Sequence, residues 1–221
     1  MVPNIRAVIF DYGNVLCPMP PPSAFEDLAH TAGIPSQLFL ESLWRHRLEY
    51  DRGTLNGPAY WQEIARENGK IFSDEQIQKL MEADLALWIH PNPALLAWVR
   101  ALRKSGTKTA ILSNMPREFS HYLRLNAAWL DEFEIKVFSG EMGIVKPDPK
   151  IYHACLAGLN VLAGEALFID DVAANVEGAR ALCIEAIRFD SMAQFAIDVQ
   201  PFGLPVPGMD EIGAPRLGRL P

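Results

Sequence analysis

The sequence predicts an α/β protein: a doubly wound parallel sheet with a helical cap domain inserted after its first strand. Three observations carry that expectation. Short apolar runs, starting with Ala7, Val8, Ile9 and Phe10, suit strands buried on both faces of a parallel sheet. From Pro91 onward such runs alternate with amphipathic helical segments, the pattern of βαβ units. Between the first run and Pro91 the pattern is helical throughout, with no strand to interrupt it. The expected division is residues 1–16 with 91–199 as the α/β core, 17–90 as the cap and 200–221 as a Pro/Gly-rich tail.

The first run ends at Asp11, and Gly13 and Asn14 allow a tight loop after it. Pro18, Pro20, Pro21 and Pro22 form a hinge that cannot continue regular structure, and Ser23 offers an N-cap for a helix through Phe25, Leu28 and Ala29. Helices are then expected from Pro35 to Tyr50, from Pro58 to Asn68 and from Ser73 to Ile89. Ser73 with Gln76 resembles a capping box, and Leu80, Leu85 and Trp88 form an apolar face. Next comes a helix from Pro93 to Ser105, with Leu95, Leu96, Val99 and Leu102 on one side and Gly106 ending it. A strand from Thr107 to Leu112 stops at Ser113 and Asn114, and Pro116 starts another helix. Ile135 to Phe138 gives a third strand, and Pro149 to Leu159 a helix with Ile151, Cys155 and Leu156 inward. Ala166 to Ile169 gives a fourth strand, ending at Asp170 and Asp171. A helix through Val176 and Ala179 and a last strand near Ile184 to Phe189 follow. After Gln200, prolines and glycines predict an extended or disordered end.

Composition narrows the function classes. About half of the 221 residues are hydrophobic, enough for a full core, and the net charge of −7 leaves no broad basic surface for nucleic acid or anionic lipid. No segment approaches membrane-spanning length and no signal-peptide core is present, so a cytoplasmic protein is expected. Cys17, Cys155 and Cys183 are widely spaced without a CxxC pair, which reads as reduced thiols rather than a zinc site. His30, His46, His90, His121 and His153 show no paired metal-ligand spacing. Trp44, Trp61, Trp88 and Trp98, at helical spacings, read as packing residues.

Strand ends of a parallel sheet converge on one edge. That edge would collect Asp11, Ser113, and Asp170 with Asp171, while Lys146 precedes a helix between the last two strands. Adjacent carboxylates directly after an apolar strand repel each other unless a cation or donors compensate. The segments VIFDYGNVL, TAILSNMP, GIVKPDPKIY and ALFIDDVAANVEGA resemble the four ordered motifs of the haloacid dehalogenase superfamily, and the DxGNV opening resembles its sugar-phosphatase-like branch.

That resemblance implies a Mg²⁺-dependent phosphatase acting on a small phosphorylated metabolite, with no nucleic-acid or membrane partner. Asp11 would be the nucleophile that forms an aspartyl phosphate. Asp11, the Gly13 carbonyl and Asp171 would hold the metal, with Asp170 and Asn175 orienting those ligands. Ser113 and the Asn114 N–H would bind phosphate oxygens, and Lys146 would supply positive charge to phosphate and nucleophile. Gly13 departs from the pattern, because family phosphatases carry there the Asp that protonates the leaving oxygen. Its loss points to a substrate with a good leaving group, such as a sugar 1-phosphate, or to a proton supplied from the cap by Glu49 or Asp51. Trp44, Arg45, Arg52 and Tyr60 are the expected specificity residues. The same gap leaves a 2-haloacid dehalogenase-type hydrolase, or a non-catalytic binding protein on the same fold, as alternatives.

Overall fold

A computed structural model of the protein describes residues 4–206. Its centre is a five-stranded, all-parallel sheet of β1 (Ala7–Phe10), β2 (Lys108–Ser113), β3 (Ile135–Phe138), β4 (Ala166–Asp170) and β5 (Glu185–Arg188), in the order β3-β2-β1-β4-β5. β1 lies in the middle, with Phe10 in register with Ile111 on one side and Ile169 on the other. The period-two alternation of a strand sends Val8 and Phe10 into the core on one face and Ala7 and Ile9 into the core on the other. Both faces are therefore apolar, which is why these strands read as continuous hydrophobic runs.

Each face is covered by helices. On one side α8 (Pro149–Leu159) and α9 (Ala173–Arg180) bury Ile151, Tyr152, Cys155, Val176 and Ala179. On the other α5 (Pro93–Lys104) brings Leu95, Trp98, Val99 and Leu102 over Phe10 and Phe133. That apolar layer continues without a break into four helices, α1 (Pro22–Ala32), α2 (Ser36–Arg52), α3 (Gly57–Glu67) and α4 (Asp74–Leu87), all lying between β1 and α5 in the chain. Phe39, Tyr50, Tyr60 and Trp61 form their stacked centre. Ser73 caps α4 by accepting the Gln76 N–H at 3.2 Å, as the sequence predicts.

Several expectations are corrected. Pro21 occupies the N-cap position of α1 and Pro22 its first turn, so Ser23 is already helical; a proline that has no N–H to satisfy opens a helix at no cost. Two short helices, α7 (Ser139–Met142) and α10 (Met192–Asp198), were not anticipated, because one or two turns are too short for a 3.6-residue period. Helix α6 (Arg117–Asn126) follows Pro116 as expected. The extended tail proposed from Gln200 begins instead with a 3-10 turn at Gln200–Phe202. Phe202 and Leu204 pack on the core, and Trp98 Nε1 donates to the Pro205 carbonyl at 2.6 Å. The rest of that proposed tail, residues 207–221, lies outside the described residues. Cys17 and Cys155 are buried free thiols and Cys183 is exposed. Among the described residues no helix is long and apolar enough to cross a membrane.

Candidate active site

The carboxyl ends of β1, β2 and β4 meet at the floor of a cavity of about 330 Å³. Asp11, Gly13, Ser113, Asn114, Lys146, Asp171 and Asn175 all line it, so the topology brings together residues separated by up to 164 positions, Asn175 being 175 − 11 from Asp11. Asp170, the last residue of β4, lies directly beneath and is wholly buried.

Lys146 organises this floor. Its ammonium, almost fully buried, lies 2.8 Å from Asp11 Oδ1 and 2.6 Å from Asp170 Oδ2. Burial works against its charge, yet Asp11 and Asp170 together hold it above the ordinary lysine value. The loop carrying it is clipped to the end of β2, because Asn114 Oδ1 accepts the Lys146 N–H at 2.8 Å and Asn114 Nδ2 donates to the Lys146 carbonyl at 3.2 Å. From the sequence, only the backbone N–H of Asn114 is expected to serve the site. Its side chain positions the lysine, a role with no signature in a single sequence because the two residues are 32 apart.

The two aspartates at the end of β4 differ sharply. Asp170 Oδ1 accepts from the Val172 N–H at 2.8 Å and from Asn175 Nδ2 at 3.1 Å, while Oδ2 takes Lys146 and a second contact from Asn175 at 3.1 Å. Its oxygens are fully engaged, so it holds Lys146 and Asn175 in place. Asp171 is half-buried and uses only Oδ2, which accepts from Asn14 Nδ2 at 3.0 Å. Asn14 reaches it from a left-handed backbone, φ 56°, a conformation asparagine tolerates better than other side chains. Asp11 itself uses Oδ1 for Lys146 and for the Tyr12 N–H at 2.6 Å.

Asp11, Asp170 and Asp171 present carboxylate oxygens all within 4.8 Å of one another, against a single lysine. Burial pushes the Asp11 carboxyl up to about 7; Lys146 opposes the shift, and Asp170 and Asp171 add to it. Hard oxygen donors crowded beyond what one ammonium neutralises fit a divalent cation such as Mg²⁺. Ser113 Oγ makes only a long 3.4 Å contact to the Asn114 carbonyl, which leaves its hydroxyl available to a ligand in the cavity.

Gly13 borders the cavity, and a Cβ there would meet only the Trp88 ring, at 3.7 Å. Space for a side chain therefore exists and is unused. A carboxyl of α2 reaches the same cavity. Asp51, in the last turn of α2, lines the same cavity, and Arg47 Nε donates to its Oδ1 at 2.8 Å. Arg47 also lies 3.5 Å from Asp84 Oδ2 of α4. Burial pushes the Asp51 carboxyl up to about 6 despite the opposing arginine. Of the other proposed cap residues, Trp44 lines the cavity, whereas Arg45 pairs with Glu67 on the surface and the Tyr60 hydroxyl donates to the Leu43 carbonyl inside the cap. Glu49 and Arg52 are not among the lining residues. Trp61 and Trp98 are packing residues as expected, but Trp44 and Trp88 are not solely so, since both face the cavity. Arg47, Met19, Leu48, Met115 and Phe119 also line it, and none was named from the sequence as a site residue.

The profile of the haloacid dehalogenase-like hydrolases matches residues 5–182. Phosphatase MT3486 of Mycobacterium tuberculosis (strain CDC 1551 / Oshkosh) is 30% identical over 203 residues, covering 86% of this chain and 90% of that protein. (S)-2-haloacid dehalogenase 1 of Pseudomonas sp. (strain CBS-3) is also 30% identical, over 198 residues, covering 84% and 85%. A HAD family enzyme of Bacteroides thetaiotaomicron, solved in complex with magnesium and inorganic phosphate, shares the fold with a TM-score of 0.69 at 23% identity, covering 84% of this chain and 94% of that one. With an Asp-Lys-Asp floor at the carboxyl edge of a parallel sheet and a family match across most of its length, the chain belongs to the haloacid dehalogenase-like hydrolases.

Proposed function

We propose that this hydrolase is a Mg²⁺-dependent phosphatase that cleaves small phosphate monoesters through an aspartyl phosphate on Asp11. The observation that carries the reading is the floor of the cavity, where a carboxylate at the end of β1 is paired to a buried lysine beside a second, partly free carboxylate, Asp171. Asp11, the Gly13 carbonyl and Asp171 would hold the cation, with Asp170 behind them. When bound, Mg²⁺ supplies the charge that lets two anions, substrate and nucleophile, approach each other.

The chain's own residues account for the rest. An Asp11 oxygen attacks phosphorus and the bond from phosphorus to the leaving oxygen breaks. Lys146 and the Ser113 hydroxyl bind the phosphoryl oxygens as charge shifts onto them. Asp51, protonated, delivers its proton to the leaving oxygen, doing from the cap what Gly13 has no side chain to do. Its carboxylate then takes a proton from the water that attacks phosphorus, which releases inorganic phosphate and restores Asp11. Residues 1–16 and 91–199 act in this reading as the catalytic core, and residues 17–90 as the cap that brings Asp51 and Trp44 over the phosphate site.

Inorganic phosphate release from aryl, acyl, sugar and nucleotide phosphates, with Mg²⁺ and after its chelation, tests the proposal. Release that needs Mg²⁺ supports it. Chloride release from 2-chloropropionate without phosphate release would favour the dehalogenase reading instead, although Asp170 and Asp171 beside the nucleophile repel a second carboxylate.

A further inference from the structure

Away from its charged floor, the cavity changes character. Its upper wall is built by Met19, Trp44, Leu48, Trp88, Met115 and Phe119. Three of these, Met19, Trp44 and Leu48, are large apolar side chains left 48%, 45% and 47% exposed, and Val172, at 47%, completes the rim. Four of the ten exposed large apolar side chains among the described residues thus ring the mouth of one cavity, the one that contains Asp11. Exposed apolar side chains gathered at one concave site, rather than scattered singly, mark the place where an apolar group is buried.

The polar side chains on this wall are few, Arg47 and Asp51, and they pair with each other, with Arg47 Nη1 left buried and without a hydrogen-bond partner. Arg47 gives its Nε to Asp51 and faces Asp84, and it lies over the Trp88 and Phe119 rings at 5.9 and 5.3 Å. Asp51 is the group that faces the leaving oxygen in the reading above. A polyhydroxylated leaving group would have to leave most of its hydroxyls without partners against methionine, leucine and tryptophan, at a cost for each.

Resting on that phosphatase reading, we infer that the preferred substrate is a phosphate monoester whose organic group is aromatic or branched-apolar, held between Trp44, Leu48 and Phe119. This departs from the sugar 1-phosphate expected from the sequence; an aryl oxygen is a good leaving group and fits Gly13 unaided, while a branched-apolar alcohol would draw its proton from Asp51.

Binding of non-hydrolysable phosphonates separates the two classes without relying on turnover. With Mg²⁺ present, calorimetric titration with (2-naphthylmethyl)phosphonate should give a Kd at least about tenfold below that of methylphosphonate, from the apolar area buried. Trp44→Ala with Leu48→Ala, both at partly exposed positions that can be shortened without opening the core, should bring that ratio below about threefold. Equal affinity for the two phosphonates, or tighter binding of glucose 1-phosphonate than of the naphthyl compound, would overturn the inference while leaving a phosphate site in place. No binding of any of the three would overturn the inference and count against the phosphatase reading with it.

Discussion

Lys146 shows how much of the site rests on single side chains. It neutralises two carboxylates in a buried floor, so Lys146→Met leaves Asp11 and Asp170 facing each other without compensation. We expect destabilisation of about 3–5 kcal/mol in urea titrations, with phosphate release down by at least about 10²-fold. Asp51 makes a different prediction. Asp51→Asn should slow formation of the aspartyl phosphate from alkyl phosphates by about 10²- to 10⁴-fold and from aryl phosphates far less, read as a single-turnover burst of alcohol or phenol, since only a poor leaving group needs the proton. Because the acid must be protonated, the wild-type rate on alkyl phosphates should fall as pH rises through about 6, set by burial against Arg47 with Asp84 and Lys146 also facing the group; Asp51→Asn should lose that limb. A shallow dependence on leaving-group pKa that survives Asp51→Asn would remove Asp51 from the mechanism. At this scale the gathering of Asp11, Ser113, Asp170 and Asp171 at one sheet edge is legible because each ends an apolar run, whereas Lys146 is singled out only through the resemblance of GIVKPDPKIY to a family motif. Asn114 and Arg47 are not legible, since what they do is decided by partners distant in the chain or on another helix.

Among the elements, α2 and α7 decide whether the cap carboxyl is held over the core. The Ser139 hydroxyl, which accepts the Met115 N–H at 2.9 Å, donates to the Asp51 carbonyl and so ties the last turn of α2 to the end of β2. Gly53 then ends α2 in the left-handed region at φ 80°, with Gly140 of α7 so close that a Cβ on Gly53 would lie 2.9 Å from its carbonyl. Gly140 is as tightly enclosed, because a Cβ there would meet the Arg117 nitrogen at 2.5 Å and the Met115 carbonyl at 2.7 Å, both backbone atoms. Gly140→Ala should therefore destabilise the protein by about 1–3 kcal/mol, read as a lowered Tm, and should slow alkyl phosphates more than aryl ones if it displaces Asp51. An unchanged Tm would mean that α7 is not closely seated against the Met115–Arg117 turn. This junction was invisible in the sequence: α7 is a single turn, and a glycine required for close approach looks like one required for a bend. Strand β3 and helix α8, by contrast, were read to the residue, because a β-branched run and a Pro-led amphipathic segment each obey one local rule.

Over the whole molecule, the parallel sheet and the helical block after β1 were legible because they follow from periodicity and order, which local sequence carries. The division of labour in the cavity was not. Trp44 stands among the expected specificity residues, but so do Arg45, Arg52 and Tyr60, which do not line the cavity, and Trp88 shares its helical spacing with the buried Trp61; only the packing of four helices against the sheet edge separates side chains that face the cavity from those that do not. The result is one cavity with a charged floor from the core and an apolar wall largely from the cap, in a chain of net charge −7 that concentrates a lysine where the phosphate would sit. Whether Asp11 is the nucleophile is decided by acid-quenching the protein during turnover of an aryl phosphate with Mg²⁺. A peptide containing Asp11 should be heavier by one phosphoryl group, lost on treatment with hydroxylamine and absent from Asp11→Asn, which should release no phosphate. Phosphate release by Asp11→Asn at the wild-type rate, with no phosphorylated peptide at any time, would contradict it.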